Sequence, residues 1–152
     1  MTRTPSSMGT VRSSGRLVAR VLAGAWCQSP PPVELSAGEL AAIGPLLLGS
    51  GAGALAWWRI RGSALGTTPA ALELREAYRL HSLEAALHER SIKTIVALLR
   101  SAGVEPVLVK GWAVARLYPE AGLRPYGDID LCVRPEQYRQ AAALLEIGRA
   151  HV

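Results

Sequence analysis

The sequence contains no phenylalanine and no asparagine, and only two cysteines. Cys27 and Cys132 lack the spacing of a disulfide framework or of a zinc motif, so both are predicted to be buried apolar residues. The apolar runs are interrupted by Arg, Gly or Pro well before bilayer-spanning length, and no transmembrane helix is predicted. Residues 17–26 are too short, and too clearly interrupted by Arg20, for a secretory signal. A cytoplasmic location is therefore expected.

Acidic residues are absent from the first 33 positions, although the chain as a whole has a formal net charge of +5. We interpret residues 1–33 as a weakly ordered basic arm, with residues 1–15 disordered and a short helix from Leu17 to Trp26. Scattered arginines are a weak electrostatic signal, so neither nucleic-acid nor membrane binding is indicated. The arginines of this arm are Arg3, Arg12, Arg16 and Arg20.

A helical region is predicted over residues 34–103. Ser36 and Glu39 have the spacing of a capping box, which predicts a helix beginning near Ala37. A glycine-rich break follows, and then a short helix from Ala54 to Ile60, in which Trp57 and Trp58 are interpreted as core anchors.

The longest predicted helix begins after Thr68, which is suited to an N-cap, with Pro69 at the first helical position. Gly103 provides its stop. His81 and His88 lie on this helix without any metal-ligand motif and are expected to be surface or half-buried residues. The apolar positions with helical spacing are predicted to form its buried stripe. They are Leu72, Leu80, Leu83, Leu87, Ile95, Leu98 and Leu99.

After Gly103 the hydrophobic period changes from helical to alternating. Residues 106–109 are predicted to form a buried strand, 112–118 a short helix, 119–127 a loop, 128–133 a second strand and 135–145 a final helix. The predicted fold class is therefore α+β, with a helical N-terminal region followed by a small sheet at 104–146.

The only two aspartates of the chain, Asp128 and Asp130, stand two residues apart on the second predicted strand. The period of a strand places both carboxylates on one face, where their mutual repulsion favours a bound cation. Mg²⁺ suits such a pair, because it takes its remaining ligands from water and substrate phosphates. The alternative is an exposed strand face with two solvated acids.

Lys110 and Gly111 follow the first predicted strand directly. Glycine allows the backbone to approach a phosphate, and the following helix begins with free N–H groups. Lys110 and Arg124 are candidate phosphate contacts on grounds of charge, with a structural salt bridge as the alternative for each.

Several short blocks resemble the bacterial "nucleotidyltransferase family protein" group, a branch of the DNA polymerase β-like nucleotidyltransferase superfamily. They are Leu-Val-Lys-Gly-Trp-Ala at 108–113, Leu-Tyr-Pro at 117–119, Gly-Leu-Arg-Pro at 122–125, Asp-Ile-Asp-Leu at 128–131 and Val-Arg-Pro at 133–135. The resemblance covers about residues 35–145.

That resemblance implies a polymerase β-like mixed sheet, with Asp128 and Asp130 as paired metal ligands and Gly111 packed near a triphosphate. It also implies an NTP substrate and two Mg²⁺ ions that activate an acceptor hydroxyl for attack on the α-phosphorus. Tyr118 and Tyr126 are candidates for stacking on a base, with core packing the preferred interpretation for Tyr118.

The resemblance has two departures. Trp112 follows Gly111, where the superfamily usually has Ser or Gly, and no aspartate follows Asp130 to supply the superfamily's third acid. Residues 147–152 match the translation of a common sequencing-adapter sequence. We therefore expect a non-native tail and a C-terminally truncated domain with low activity.

The expected function is Mg²⁺-dependent transfer of a nucleoside monophosphate from an NTP to an unidentified hydroxyl acceptor. Two alternatives stay open at this point. One is a non-catalytic nucleotide- or metal-binding partner that keeps the fold without turnover. The other is a glycosyltransferase, because an Asp-x-Asp pair also binds metal beneath a sugar nucleotide.

Overall fold

The computed structural model describes residues 7–25, 27 and 29–149. The described chain is mainly helical, with one small sheet near its C-terminal end. Its elements are α1 (Ser7–Leu22), α2 (Ala37–Gly49), α3 (Gly53–Ile60), α4 (Pro69–Ser101), β1 (Val107–Val109), α5 (Lys110–Ala115), β2 (Asp130–Cys132) and α6 (Tyr138–Arg149). Short 3₁₀ turns at Ala64–Thr67 and Pro135–Gln137 precede α4 and α6.

The N-terminal helix starts earlier than predicted, at Ser7 rather than near Leu17. Part of the arm expected to be weakly ordered packs against the rest of the molecule, because Val21 of α1 is fully buried in the core. Arg59 of α3 also donates to the carbonyl oxygens of Val21 and Pro31, at 3.1 and 2.7 Å. These contacts come from distant positions, so composition alone did not reveal them.

The predicted boundaries of α2 and α4 are confirmed. Ser36 and Glu39 form the reciprocal capping box at the start of α2. At the end of α4, the N–H of Gly103 bonds to Arg100 and that of Val104 to Leu99, which is the Schellman arrangement. Gly103 has φ +76°, the left-handed conformation that glycine adopts without steric cost.

Two hydrophobic clusters lie at the two ends of α4. The first joins α1, α2 and α3 to the N-terminal half of α4 around Ile43, Ile60 and Leu74. The second joins the sheet and α6 to the C-terminal half of α4 around Leu99, Val104 and Ala141. Gln137 and Gln140 fix this second junction, donating to the carbonyl oxygens of Gly103 and Ala102 at 2.9 and 2.8 Å.

The buried stripe predicted for α4 is wrong in its first half. The fully or almost fully buried residues of α4 are Ala71, Leu74, Ile92 and Leu99, and Ile95 packs beside them. Neighbouring elements cover a different side of the helix from the one that carries most leucines. The leucines left exposed are Leu72, Leu80, Leu83 and Leu87.

The sheet is a two-stranded antiparallel ladder in which Val107 pairs with Cys132, Leu108 with Leu131 and Val109 with Asp130. Both strands in the described residues belong to this pair, so the mixed sheet predicted from the resemblance is not seen there. Cys132 is exposed, contrary to prediction, because it shares an open face with Val107, which is 60% exposed.

Candidate functional site

The ladder brings the two sequence-predicted site elements into contact. Asp130, the first residue of β2, pairs with Val109, the last residue of β1. The next residue, Lys110, places its ammonium nitrogen 3.2 Å from Oδ1 of Asp130. The sheet pairing thus joins the Lys-Gly turn to the acidic segment.

Asp128 lies outside the strand on which it was predicted. Continuing the register beyond Val109 would set Ile129 and Asp128 opposite Lys110 and Gly111, but these two residues already belong to α5. The ladder therefore ends at Asp130. The Asp128 side chain is exposed, whereas that of Asp130 is about one-third exposed.

Gly111 lies close to the segment before β2. A Cβ atom at this position would lie 3.0 Å from Cβ of Tyr126 and 3.3 Å from the carbonyl oxygen of Asp128. Gly111 thus holds the acidic segment close to the turn after β1. Since α5 has only six residues, its macrodipole adds little to anion binding, and the argument from a helix N-terminus is correspondingly weak.

Lys110 adopts a conformation that non-glycine residues avoid. Its φ is +50°, and no other described non-glycine residue has a positive φ. Such a conformation costs about 1–2 kcal/mol. The ion pair with Asp130 does not offset that cost, because Lys110 is 76% exposed and exposed pairs contribute about 0–1 kcal/mol. A strained, exposed cation next to a carboxylate points to a functional role for this turn.

Arg124 stabilises the same turn from the loop between α5 and β2. Its Nη1 donates to the carbonyl oxygen of Gly111 at 3.2 Å. The sequence suggested a phosphate contact or a structural salt bridge for this residue. The bond to Gly111 instead gives Arg124 a positioning role at the turn, and a phosphate contact through its remaining N–H groups stays a prediction.

Glu120 was not singled out from the sequence, yet it anchors this loop to the helical region. It accepts two hydrogen bonds from Arg61, at 3.0 and 2.6 Å, and one from the Tyr78 hydroxyl at 2.8 Å. The hydrogen bonds from Arg61 lower the pKa of Glu120, and the bond to Glu120 raises the pKa of Tyr78. The partners lie 59 and 42 residues away, so no local pattern announced them.

Gly122 fixes how closely this loop packs on α4. It has φ +84°, and a Cβ atom there would lie 2.6 Å from both the backbone nitrogen and Oγ of Ser82. Only glycine satisfies both the conformation and the contact. Glu120 and Gly122 together set the path of the chain toward Arg124 and Asp128.

An open cavity of about 240 Å³ lies between α4 and the loop after α5. Three aromatic side chains, Trp112, Tyr118 and Tyr126, line it together with Glu89. Tyr126 also contacts the ring of His88, with 4.9 Å between centroids, and burial followed by the charge of Glu89 raises the pKa of its hydroxyl. The cavity is next to the turn, because Tyr126 touches Gly111.

The donor set at Asp128 and Asp130 fits a hard cation bound in part by other ligands. Mg²⁺ prefers carboxylate oxygens and retains several water or phosphate ligands, and the exposed Asp128 and partly exposed Asp130 leave room for these. Within residues 7–25, 27 and 29–149, no group of three or more His, Cys, Asp or Glu side chains is arranged to hold a metal. The described chain thus offers two carboxylates at this place and no third.

Comparison with protein families gives one match. The model of a family described as "Uncharacterised nucleotidyltransferase" matches residues 50–148, which include α3, α4, the sheet and every candidate site residue. No curated protein and no solved structure matches the chain. In the described part of the chain, no helix is both long and apolar enough to cross a membrane.

Proposed function

Because this chain belongs to the family of uncharacterised nucleotidyltransferases, we propose that it transfers a nucleoside monophosphate from an NTP to a hydroxyl acceptor, using Mg²⁺. The observation that carries this proposal is the contact between Lys110 and Asp130, at the place where β1 ends and its partner strand β2 begins. The carboxylate of Asp130 can bind a cation there, and the ammonium group of Lys110 can bind an anion. A metal-bound triphosphate needs both.

Asp128 and Asp130 are the proposed metal ligands. The bound Mg²⁺ supplies neutralisation of the triphosphate charge and activation of the acceptor hydroxyl. In the overall reaction the acceptor oxygen bonds to the α-phosphorus, the bond to the β-phosphate oxygen breaks, pyrophosphate leaves, and the hydroxyl proton is released. The acceptor itself is not identified by any contact of the chain.

Lys110 is the proposed phosphate contact. Its ammonium group neutralises Asp130 in the described structure, at 3.2 Å. Asp128 and Asp130 would hold the divalent cation, and Asp130 would then no longer need the ammonium group of Lys110 as its counter-charge. The exposed side chain is then free to pair with a phosphate oxygen.

Gly111 and Arg124 are proposed to shape the phosphate site. Arg124 holds the carbonyl oxygen of Gly111 at 3.2 Å, and the missing side chain of Gly111 lets the turn approach Asp128. Substitution of Arg124 or of Gly111 would displace Lys110 relative to Asp130. The aromatic cavity beside the turn is the proposed place for the base, where Trp112 and Tyr126 offer stacking surfaces.

Calorimetric titration with each of the four common NTPs tests this proposal, once with Mg²⁺ and once with EDTA. We expect Mg²⁺-dependent binding that is weakened at least tenfold by Asp128→Asn or Asp130→Asn. Glu136→Gln is the matched control, because Glu136 is an exposed acid just beyond β2. The proposal fails if no NTP binds, or if the aspartate variants bind as well as the control.

A second candidate function is nucleotide binding without turnover. The absence of a third metal-binding acid near Asp128 and Asp130 in the described residues favours it. The two candidates differ in product formation from α-labelled NTPs. Mg²⁺-dependent binding without labelled product or pyrophosphate would support the second, whereas labelled product would support the first. The family match favours either over glycosyl transfer.

A further inference from the structure

The aromatic cavity between α4 and the loop after α5 has the size of a base rather than of a whole nucleotide. Its volume of about 240 Å³ is below the roughly 300–1,000 Å³ of pockets that enclose a drug-sized ligand. Trp112 of its wall lies two residues after Lys110, the proposed phosphate contact, and Tyr126 touches Gly111. A nucleotide with its phosphates at the turn therefore reaches this cavity with its base.

Two carboxylates line the cavity, and they differ in what already binds them. Glu120 is held by hydrogen bonds from Arg61 and Tyr78 that anchor the loop to the helical region. Glu89 contacts only the side chain of its own helix one turn further on, where Lys93 lies 3.0 Å from Oε1. Glu89 is thus the carboxylate that the cavity can offer to a ligand.

The ion pair with Lys93 does not use up the carboxylate of Glu89. An ionised carboxylate has about four lone-pair sites and no donor. Lys93 is 74% exposed and Glu89 is 50% exposed, and an exposed pair of this kind is weak. The α4 residues that line the cavity are Ala85 and Glu89, and Lys93 lies one turn beyond them. The acceptor of the pair faces the cavity, whereas its donor extends into solvent.

The four common bases differ in how they meet a carboxylate. Guanine carries an N–H group and an amino group on neighbouring atoms of one edge, so both can donate to the two carboxylate oxygens. Adenine and cytosine have a ring-nitrogen lone pair beside the amino group, and uracil has a carbonyl on each side of its N–H group. In these three bases a lone pair would face the carboxylate, and the mismatch disfavours their binding.

We propose that the aromatic cavity selects guanine, and hence GTP, with Glu89 as the specificity-determining residue. The inference rests on the proposed function, because it needs a nucleotide whose phosphates are bound at Lys110. Trp112 and Tyr126 stack on the base without reading its identity. Glu89 accepts from the N–H and amino groups of guanine. Arg116, which lies 4.8 Å over the ring of Trp112, supplies N–H donors for the guanine carbonyl oxygen.

The selection is expected to be moderate. Glu89 is 50% exposed, so water competes for its oxygens. A fully buried polar group would reject a mismatched base far more strongly. We therefore expect a preference for GTP of about tenfold.

Calorimetric titration of the full chain with Mg²⁺ and GTP, ITP or ATP tests the selection. ITP differs from GTP only in lacking the amino group. The wild type should bind GTP about tenfold more tightly than ITP or ATP. Glu89→Gln should bring the affinities for GTP and ITP together, because an amide offers one acceptor where the carboxylate offers two. Lys93→Gln is the matched control, since it breaks the same ion pair, keeps the carboxylate and should keep the preference for GTP.

Xanthosine triphosphate adds a gain of binding that an unfolded variant cannot produce. Xanthine has a carbonyl oxygen where guanine has its amino group, so the amide introduced by Glu89→Gln can donate to it, and the affinity should rise about tenfold. Equal binding of the common NTPs by the wild type, or a ratio of GTP to ITP affinity unchanged by Glu89→Gln, would overturn the selection of guanine and leave the proposed function standing. Failure of every NTP to bind would overturn both.

Discussion

Lys110 and Asp130 face each other across the open end of the two-stranded ladder, with 3.2 Å between Nζ and Oδ1. Lys110 directly follows the last residue of β1 and begins α5, and Asp130 is the first residue of β2. The pair is too exposed to stabilise the fold by much, and Lys110 has a left-handed backbone conformation. The pair places an ammonium group beside a candidate metal ligand.

Two substitutions of Lys110 separate its conformation from its charge. Lys110→Gly removes the backbone strain at the positive φ, whereas Lys110→Ala keeps it. The free energy of unfolding should therefore be about 1 kcal/mol larger for the glycine variant than for the alanine variant. Both remove the ammonium group and should weaken Mg²⁺-dependent NTP binding by about tenfold. Urea unfolding and calorimetry measure the two effects. Unchanged NTP affinity in both variants would contradict the role given to Lys110.

Gly122 provides a second prediction, this time on stability. Gly122→Ala should lower the free energy of unfolding by about 2–4 kcal/mol, because the new Cβ meets the backbone of Ser82 in a backbone conformation that alanine disfavours. Gly62→Ala is the control. A Cβ at Gly62 meets nothing within 4 Å, and its effect should stay within about 0.5 kcal/mol. Equal unfolding curves for the two variants would show that the loop does not pack on α4 as described.

The Glu120 network predicts a particular dependence of stability on pH. Hydrogen bonds from Arg61 hold the pKa of Glu120 below its ordinary value of 4.5. A carboxylate with a lowered pKa stabilises the fold above its ordinary pKa, and that stabilisation disappears as the pH falls through the folded-state pKa. Glu120→Gln should therefore cost about 1 kcal/mol at pH 7 and progressively less below about pH 4.5.

Thermal unfolding of both proteins between pH 7 and pH 3 measures this difference. Other acids titrate in the same range, but they are common to the two proteins and cancel in the comparison. A difference between wild type and Glu120→Gln that stays constant with pH would contradict the proposed charge on Glu120.

The boundaries of α2 and α4 could be predicted because their signals are local. Ser36 and Glu39 are three residues apart, and Gly103 follows the last turn of α4, so each acts on its own neighbours in the chain. The two strands were likewise indicated by local patterns of apolar residues, and the structure pairs them.

The buried side of α4, the end of the ladder and the role of Glu120 depend on contacts between residues that are distant in the sequence. The leucines of α4 have the period of a buried stripe, but period does not say which face the neighbouring helices cover. The sequence predicts Asp128 on a strand because the alternation of polar and apolar residues continues through it. The ladder stops earlier because its partner strand turns into α5. No local sequence pattern indicates the role of Glu120, because its partners, Arg61 and Tyr78, are 59 and 42 residues away in the sequence.

Electron paramagnetic resonance of Mn²⁺ can measure whether Asp128 and Asp130 bind a divalent cation together with an NTP. The spectrum of free Mn²⁺ is recorded with a fixed concentration of NTP while protein is added. We predict that the wild type removes free Mn²⁺ beyond what the NTP alone binds, and that the double variant Asp128→Asn, Asp130→Asn does not. Identical titrations for the wild type and the double variant would contradict the account.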